Sequence, residues 1–85
     1  MIRIDLKKIL YMDFLIQHKS TGKPKEFAAK LELSRSTLFE YIAYMRDELE
    51  VCIVYDQFSK NYYYDGNNLL EALQIKLTGR KLNLA

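Results

Sequence analysis

Gly22-Lys23-Pro24-Lys25-Glu26-Phe27-Ala28-Ala29-Lys30-Leu31-Glu32-Leu33-Ser34-Arg35-Ser36-Thr37-Leu38-Phe39 carries the start signals of two helices in quick succession. Pro24 suits the first turn of a helix, where its missing N–H costs nothing. Phe27, Ala28 and Leu31 then share one face of a short helix, and the pair Ala28-Ala29 permits close approach of another backbone. Glu32-Leu33 forms a tight connection. Ser34 is a strong N-cap, because its hydroxyl accepts a backbone N–H left unpaired in the first turn. Leu38, Tyr41, Ile42, Met45 and Leu49 follow at helical spacing and predict a third helix from Arg35 to about Leu49. Arg35, Ser36, Phe39, Glu40, Ala43 and Arg46 fall off its apolar stripe. This helix has one face for a core and one for something else.

Upstream, Asp5 is placed to cap a first helix whose apolar residues are Leu6, Ile9, Leu10, Met12, Phe14 and Ile16. Ser20-Thr21-Gly22 is expected to end it, with Gly22 in the left-handed C-terminal position. Downstream the period changes. Val51 to Tyr55 and Tyr62-Tyr63-Tyr64 are strand-forming runs separated by a mostly polar stretch, which predicts a hairpin. Asn61 tolerates a positive φ and suits a bulge there. Ile53, Tyr55, Tyr62 and Tyr64 then share the face packed on the helices, while Tyr63 points outward and Cys52 is a small strand residue. Beyond Asp65-Gly66 the tail stays open between two readings. Asn68 and Glu71 have capping-box spacing ahead of Leu69, Leu70, Leu73 and Leu77, with Gly79 as a stop. Leu73 to Leu77 alternates strictly, as a strand does. Residues from Thr78 to Ala85 are expected to fray.

Composition narrows the function. Eighty-five residues allow one domain, expected to bury roughly 60–65% of its unfolded surface. The single cysteine and single histidine are far apart and fall short of the four ligands of a structural zinc site. The three glycines are isolated, so no phosphate-cradling loop is present, and no nucleophile elbow occurs. An enzyme is not expected, nor a metal or cofactor. His18 reads as a cation near a helix C-terminus. Met1 to Lys8 breaks its apolar residues with charges, so no secretory signal is expected, and no stretch has the length of a membrane span. A cytoplasmic, reducing setting follows as the expectation.

Charge is unevenly spread. Residues 1–46 carry nine Lys/Arg against five acids, and residues 47–85 carry four against six. The excess gathers around Lys19, Lys23, Lys25, Lys30 and Arg35, ahead of the third helix, as a phosphate-facing side would require.

Two helices on a short turn make a helix-turn-helix, and a helix before it with a hairpin after it make a winged helix. The segment from Gly22 to Phe39 resembles the N-terminal winged-helix domain of DeoR-like and WYL-type bacterial transcription regulators. It has the short helix with a small-residue pair, then the pattern Leu31-Glu32-Leu33-Ser34-Arg35-Ser36-Thr37-Leu38-Phe39. The hairpin ending in tyrosines matches that family's wing. The resemblance spans about residues 5–65 and implies an α+β, mainly α fold: a three-helix bundle with a C-terminal hairpin wing. On this reading residues 1–66 form the winged-helix domain, and residues 67–85 a tail available for oligomerisation.

The resemblance further implies that the third helix enters the major groove of double-stranded DNA, with Arg35, Ser36, Thr37, Phe39 and Glu40 toward base edges. Lys23, Lys25 and Lys30 would neutralise backbone phosphates, and Gln57, Ser59, Lys60 and Asn61 of the wing would reach the flanking backbone or minor groove. Phe39 has a second reading, as packing beneath the wing. Glu40-Tyr41 stands where the family commonly has Arg-Asp, and Asn61 where it often has glycine. The family's larger members continue into an effector-sensing domain that does not follow here, so no small-molecule effector is implied. A homodimer reading two half-sites is expected, with residues 69–77 as its surface. The alternative function is a winged-helix protein–protein module without DNA binding, to which Glu40 and an exposed Phe39 would be suited.

Overall fold

The computed structural model describes residues 3–79. The chain runs α1 (Leu6–Gln17), α2 (Pro24–Lys30), α3 (Arg35–Glu48), β1 (Ile53–Asp56), β2 (Asn61–Tyr64) and α4 (Leu69–Thr78). It is mainly helical, with one antiparallel hairpin of register Ile53↔Tyr64 and Tyr55↔Tyr62. The tail is a helix. Asn68 caps it by accepting the Glu71 N–H at 2.9 Å, while Glu71 Oε1 accepts the Asn68 N–H at 3.0 Å. Gly79 closes it in the left-handed conformation at φ 78°. Reciprocal capping and a left-handed glycine outweigh the five-residue alternation, which had no second strand to pair with. The fraying expected from Thr78 onward falls, from residue 80, outside the described residues.

All four helices and the hairpin contribute to one core. Tyr41, Phe27, Met12, Leu31, Leu38, Met45 and Val51 are fully buried, and Leu69 and Ala72 of α4 join them. Each large apolar side chain so buried contributes about 1.5–3 kcal/mol relative to exposure. Tyr41 keeps its hydroxyl satisfied there, accepting the Asp5 N–H at 2.9 Å and donating to the Arg3 carbonyl at 3.3 Å.

The buried stripe of α1 is Ile9, Met12, Leu15 and Ile16, whereas Leu6, Leu10 and Phe14 of the expected stripe are exposed. Apolar residues stand all round this helix, so their spacing could not say which of them face inward. Its end also differs from expectation. The left-handed residue is Lys19, at φ 53°, and Ser20 N–H bonds back to the Leu15 carbonyl at 2.9 Å. Glu32 (φ 57°) does the same after α2, with Leu33 N–H on the Ala28 carbonyl at 2.9 Å. These are Schellman closures made without glycine. Gly22 instead turns the chain into α2 at φ 70°, where an added Cβ would lie 2.8 Å from Glu26 Oε2.

The hairpin is anchored to the segment between α1 and α2. Thr21 is fully buried, accepts the Tyr62 N–H at 2.8 Å and donates to the Gly22 carbonyl at 3.1 Å. Asn61 Oδ1 accepts the Gly22 N–H at 3.0 Å. On the same strand the Tyr62 ring packs at 5.2 Å from Phe27 and 5.1 Å from Tyr55. Tyr64 donates to Asp13 Oδ1 at 2.6 Å, and burial with that carboxylate raises its pKa. Cys52 precedes β1 rather than lying in it and is exposed.

Thr21→Val keeps the shape and removes the acceptor, leaving the Tyr62 N–H buried and unpaired. It should cost about 1–3 kcal/mol in urea unfolding, with Thr21→Ser recovering most of the loss. Equal stability of Val and Thr variants would show that the anchor contributes nothing.

Candidate functional site

Ser34 sets the start of α3. Its Oγ accepts the Thr37 N–H at 3.2 Å, donates to Thr37 Oγ1 at 3.0 Å and lies 3.2 Å from Ser36 Oγ. With Leu38, Tyr41 and Met45 turned into the core, Arg35, Ser36 and Glu40 are exposed and Thr37 is half-buried. Phe39 is 49% exposed and is not among the side chains packed on the core. Its reading as packing beneath the wing is therefore not met. Farther along, Arg46 is held by Asp47 at 2.9 Å, which raises the guanidinium pKa and lowers that of the carboxylate.

A second group of side chains gathers around residues 19–23. Lys19 and Lys23 flank the Thr21-Gly22 pair that bonds to β2, and Lys60 immediately precedes Asn61 of the same strand. Lys30, from the end of α2, turns its ammonium back onto the Ser20 carbonyl. Lys25 stands in the first turn of α2, exposed. One carboxylate belongs to this group: Glu26 Oε1 accepts the Lys23 N–H at 3.4 Å. Among the described residues the ion pairs are Arg46–Asp47 and Lys76–Glu50, so Lys19, Lys23, Lys25, Lys60 and Arg35 keep unneutralised charge. The α3 residues meet this group through the packing of α2 on α3 rather than through a direct polar bond.

The hairpin tip is ordered by Asp56. Its carboxylate accepts the Phe58 N–H at 3.0 Å and the Ser59 N–H at 3.3 Å, and its carbonyl accepts the Lys60 N–H at 2.8 Å. The bonds from Phe58, first, and Ser59 to the carboxylate hold the Asp56 pKa below the ordinary carboxylate value. Gln57, Ser59 and Lys60 are exposed, and Lys60, not Asn61, takes the left-handed turn position at φ 58°. Asn61 lies in β2, with Oδ1 on Gly22 and Nδ2 donating to the Ser59 carbonyl at 3.0 Å. It is a brace for the hairpin rather than a free contact.

Three residues that matter here were outside the expected set. Thr21 is the buried anchor, and no short-range pattern reveals an interaction spanning 41 positions. Lys19 was counted in the basic, phosphate-facing cluster but not among the named backbone contacts. Phe58 is 97% exposed at the tip; its signal was an aromatic residue inside a polar run.

Other surfaces offer less. A hollow of about 590 Å³ lies between the start of α1 and α3, lined by Arg3, Ile4, Asp5, Leu6, Lys8, Leu33 and Tyr41. At its wall the Tyr41 hydroxyl has both partners, and Lys8 donates to the Leu31 carbonyl at 2.7 Å. Among the described residues no cluster of His, Cys, Asp and Glu could hold a metal ion, and no helix is long and apolar enough to cross a membrane. His18 caps α1, with Nδ1 2.8 Å from the Phe14 carbonyl and its ring 4.1 Å from that of Phe14. No family model, curated protein or solved structure matches the chain.

The tip carries a pH signature. A carboxylate with a depressed folded-state pKa adds stability that is full above its unfolded value of about 3.8 and lost as pH falls through the lower folded value. Amide resonances of Phe58 and Ser59 followed in an acid titration should therefore move with a midpoint below 3.8, and Asp56→Asn should abolish the step. A midpoint at or above 3.8 would mean that the carboxylate does not hold the turn.

Proposed function

We propose that the chain is a winged helix-turn-helix domain that binds double-stranded DNA sequence-specifically, as a small bacterial transcription regulator or phage-type DNA-binding factor in the cytoplasm. The observation that carries this reading is the outward face of α3, exposed at Arg35, Ser36, Phe39 and Glu40, in a molecule that also exposes Lys19, Lys23 and Lys60 about the 19–23 loop and the turn end of the hairpin bonded to it. The chain order supports it: α2 and α3 form the helix-turn-helix and β1–β2 the wing. In the proposed complex α3 lies in the major groove. Arg35 donates to guanine or phosphate, Ser36 and Thr37 bond base edges or phosphate, Phe39 meets a thymine methyl, and Glu40 accepts from a cytosine amino group. Lys19, Lys23, Lys25 and Lys60 neutralise phosphates, while Lys30 adds charge from its position on the Ser20 carbonyl. The lysines give affinity and the α3 residues give sequence preference. No small molecule, metal or catalytic step enters this reading.

A second reading, contact with another protein, is favoured by one observation. Leu6, Leu10 and Phe14 stand at intervals of four on α1, 68%, 55% and 52% exposed, on the side opposite its buried residues. Contiguous apolar surface of this kind marks association faces. The two readings are compatible where the partner is a second copy, since paired modules read half-sites one helical turn apart. Leu70 and Leu77 of α4, 59% and 85% exposed, offer another such surface.

Selection from randomised duplexes followed by a salt titration tests the DNA reading. One sequence class should be enriched, and affinity should fall steeply as salt rises. Arg35→Ala should change the preferred sequence, while Lys25→Ala should weaken all duplexes alike and reduce the salt slope by about one. Absence of enrichment, with no affinity at low salt, would leave protein contact as the function.

A further inference from the structure

Phe58 is the most exposed large apolar side chain of the described residues, 97% accessible at the end of the hairpin. Neither the core nor the brace uses it. Its backbone is nonetheless fixed, through its own N–H on Asp56 Oδ1 at 3.0 Å and the neighbouring Ser59 and Lys60 N–H groups on the same residue. The hairpin beneath it is tied at Asn61 and Tyr62 to the Gly22-Thr21 segment, which carries Lys19 and Lys23 on either side. An aromatic ring is thus presented on a supported arm, with the exposed Lys60 two residues on. Gln57, Ser59 and Lys60 beside it add no negative charge, and the one carboxylate, Asp56, is occupied by backbone N–H groups. A fixed, exposed ring with Lys60 two residues away suits a partner with a polyanionic outside and a stacked apolar inside. Duplex DNA has that construction: phosphates without, base faces within.

We propose that Phe58 is a wedge, inserted from the minor groove between two base pairs beside the site that α3 reads, so that the domain unstacks one step and bends the duplex. This rests on the DNA-binding reading and adds to it a defined role for the wing. Apolar side chains pushed into a base step open it and kink the duplex toward the major groove, most easily at flexible pyrimidine–purine steps. Lys60 in the same turn, with Lys19 and Lys23 on the segment bonded to Asn61 and Tyr62, would hold the phosphates on either side of the opened step. The preferred site therefore includes a TA or CA/TG step outside the segment covered by α3, chosen for its ease of opening rather than by hydrogen bonds. No residue of the wing needs to read a base edge for this preference to arise.

The test uses the full chain and a duplex of about 30 bp of the enriched sequence, end-labelled for energy transfer, with 2-aminopurine placed in turn at each flanking step. Wild-type protein should shorten the end-to-end distance and raise 2-aminopurine emission at a single step. Phe58→Ala should still bind but about tenfold more weakly, with bend and emission change both lost. Phe58→Leu, still an apolar wedge, should retain most of the bend. The side chain touches nothing in the fold, so unchanged far-UV dichroism is expected for both variants. Binding without bend or emission change, or a Phe58→Ala variant that behaves as wild type, would overturn the wedge while leaving the DNA reading intact. Failure of the wild type to bind any duplex at low salt would overturn both.

Discussion

A two-stranded hairpin alone in water is marginally stable at best. Here it is held to the helices by Thr21 and Asn61, by the Tyr64–Asp13 bond and by the burial of Ile53 and Tyr62. Thr21 takes the Tyr62 N–H at 2.8 Å, and the neighbouring Gly22 N–H is taken by Asn61 at 3.0 Å, so the edge of β2 is satisfied by the segment that links α1 to α2. The Tyr62 ring then lies against Phe27 of α2. The anchor fixes the turn end of the hairpin against the segment that carries Lys19 and Lys23. Were the hairpin free to swing, Lys60 and Phe58 would have no fixed relation to the helices.

The helices solve a different problem, which is to turn sharply twice while leaving one side of α3 open. Lys19 and Glu32 adopt left-handed conformations that glycine would accept at lower cost. Each closes a helix by a long backbone bond, and the next helix starts at once with Pro24 or with Ser34. Side chains at these corners thereby stay charged and outward. The arrangement spends the inner face of α3 on Leu38, Tyr41 and Met45 and leaves Arg35, Ser36 and Glu40 to the solvent.

Much of this was legible in the residues. Asp5, Ser34 and Asn68 act through bonds to their own neighbours and Pro24 through its fixed φ, so the helix starts could be read locally, as could the alternation of Tyr62, Tyr63 and Tyr64 across the hairpin. The outward residues of α3 were found by subtracting an apolar stripe of unambiguous period. What escaped depends on partners distant in the chain. Leu15 could not be told from Leu6 or Leu10, because every side of α1 carries apolar residues and only packing decides among them. Asn61 was assigned to the tip because of its tolerance for positive φ. Its amide was instead committed 39 residues away, which no local rule expresses. Thr21 and the orientation of Lys30 belong to the same class of long-range bond.

The proposed DNA-binding surface is made of the start of α3, the segment 19–23 and the hairpin tip. Its most direct measurement is a ¹H–¹⁵N spectrum of the chain during addition of a short duplex at low salt. The amides that move should be those of residues 35–40, 19–23 and 57–60, with the outer face of α1 undisturbed. Shifts centred instead on Leu6, Leu10 and Phe14, with the start of α3 unaffected, would contradict it.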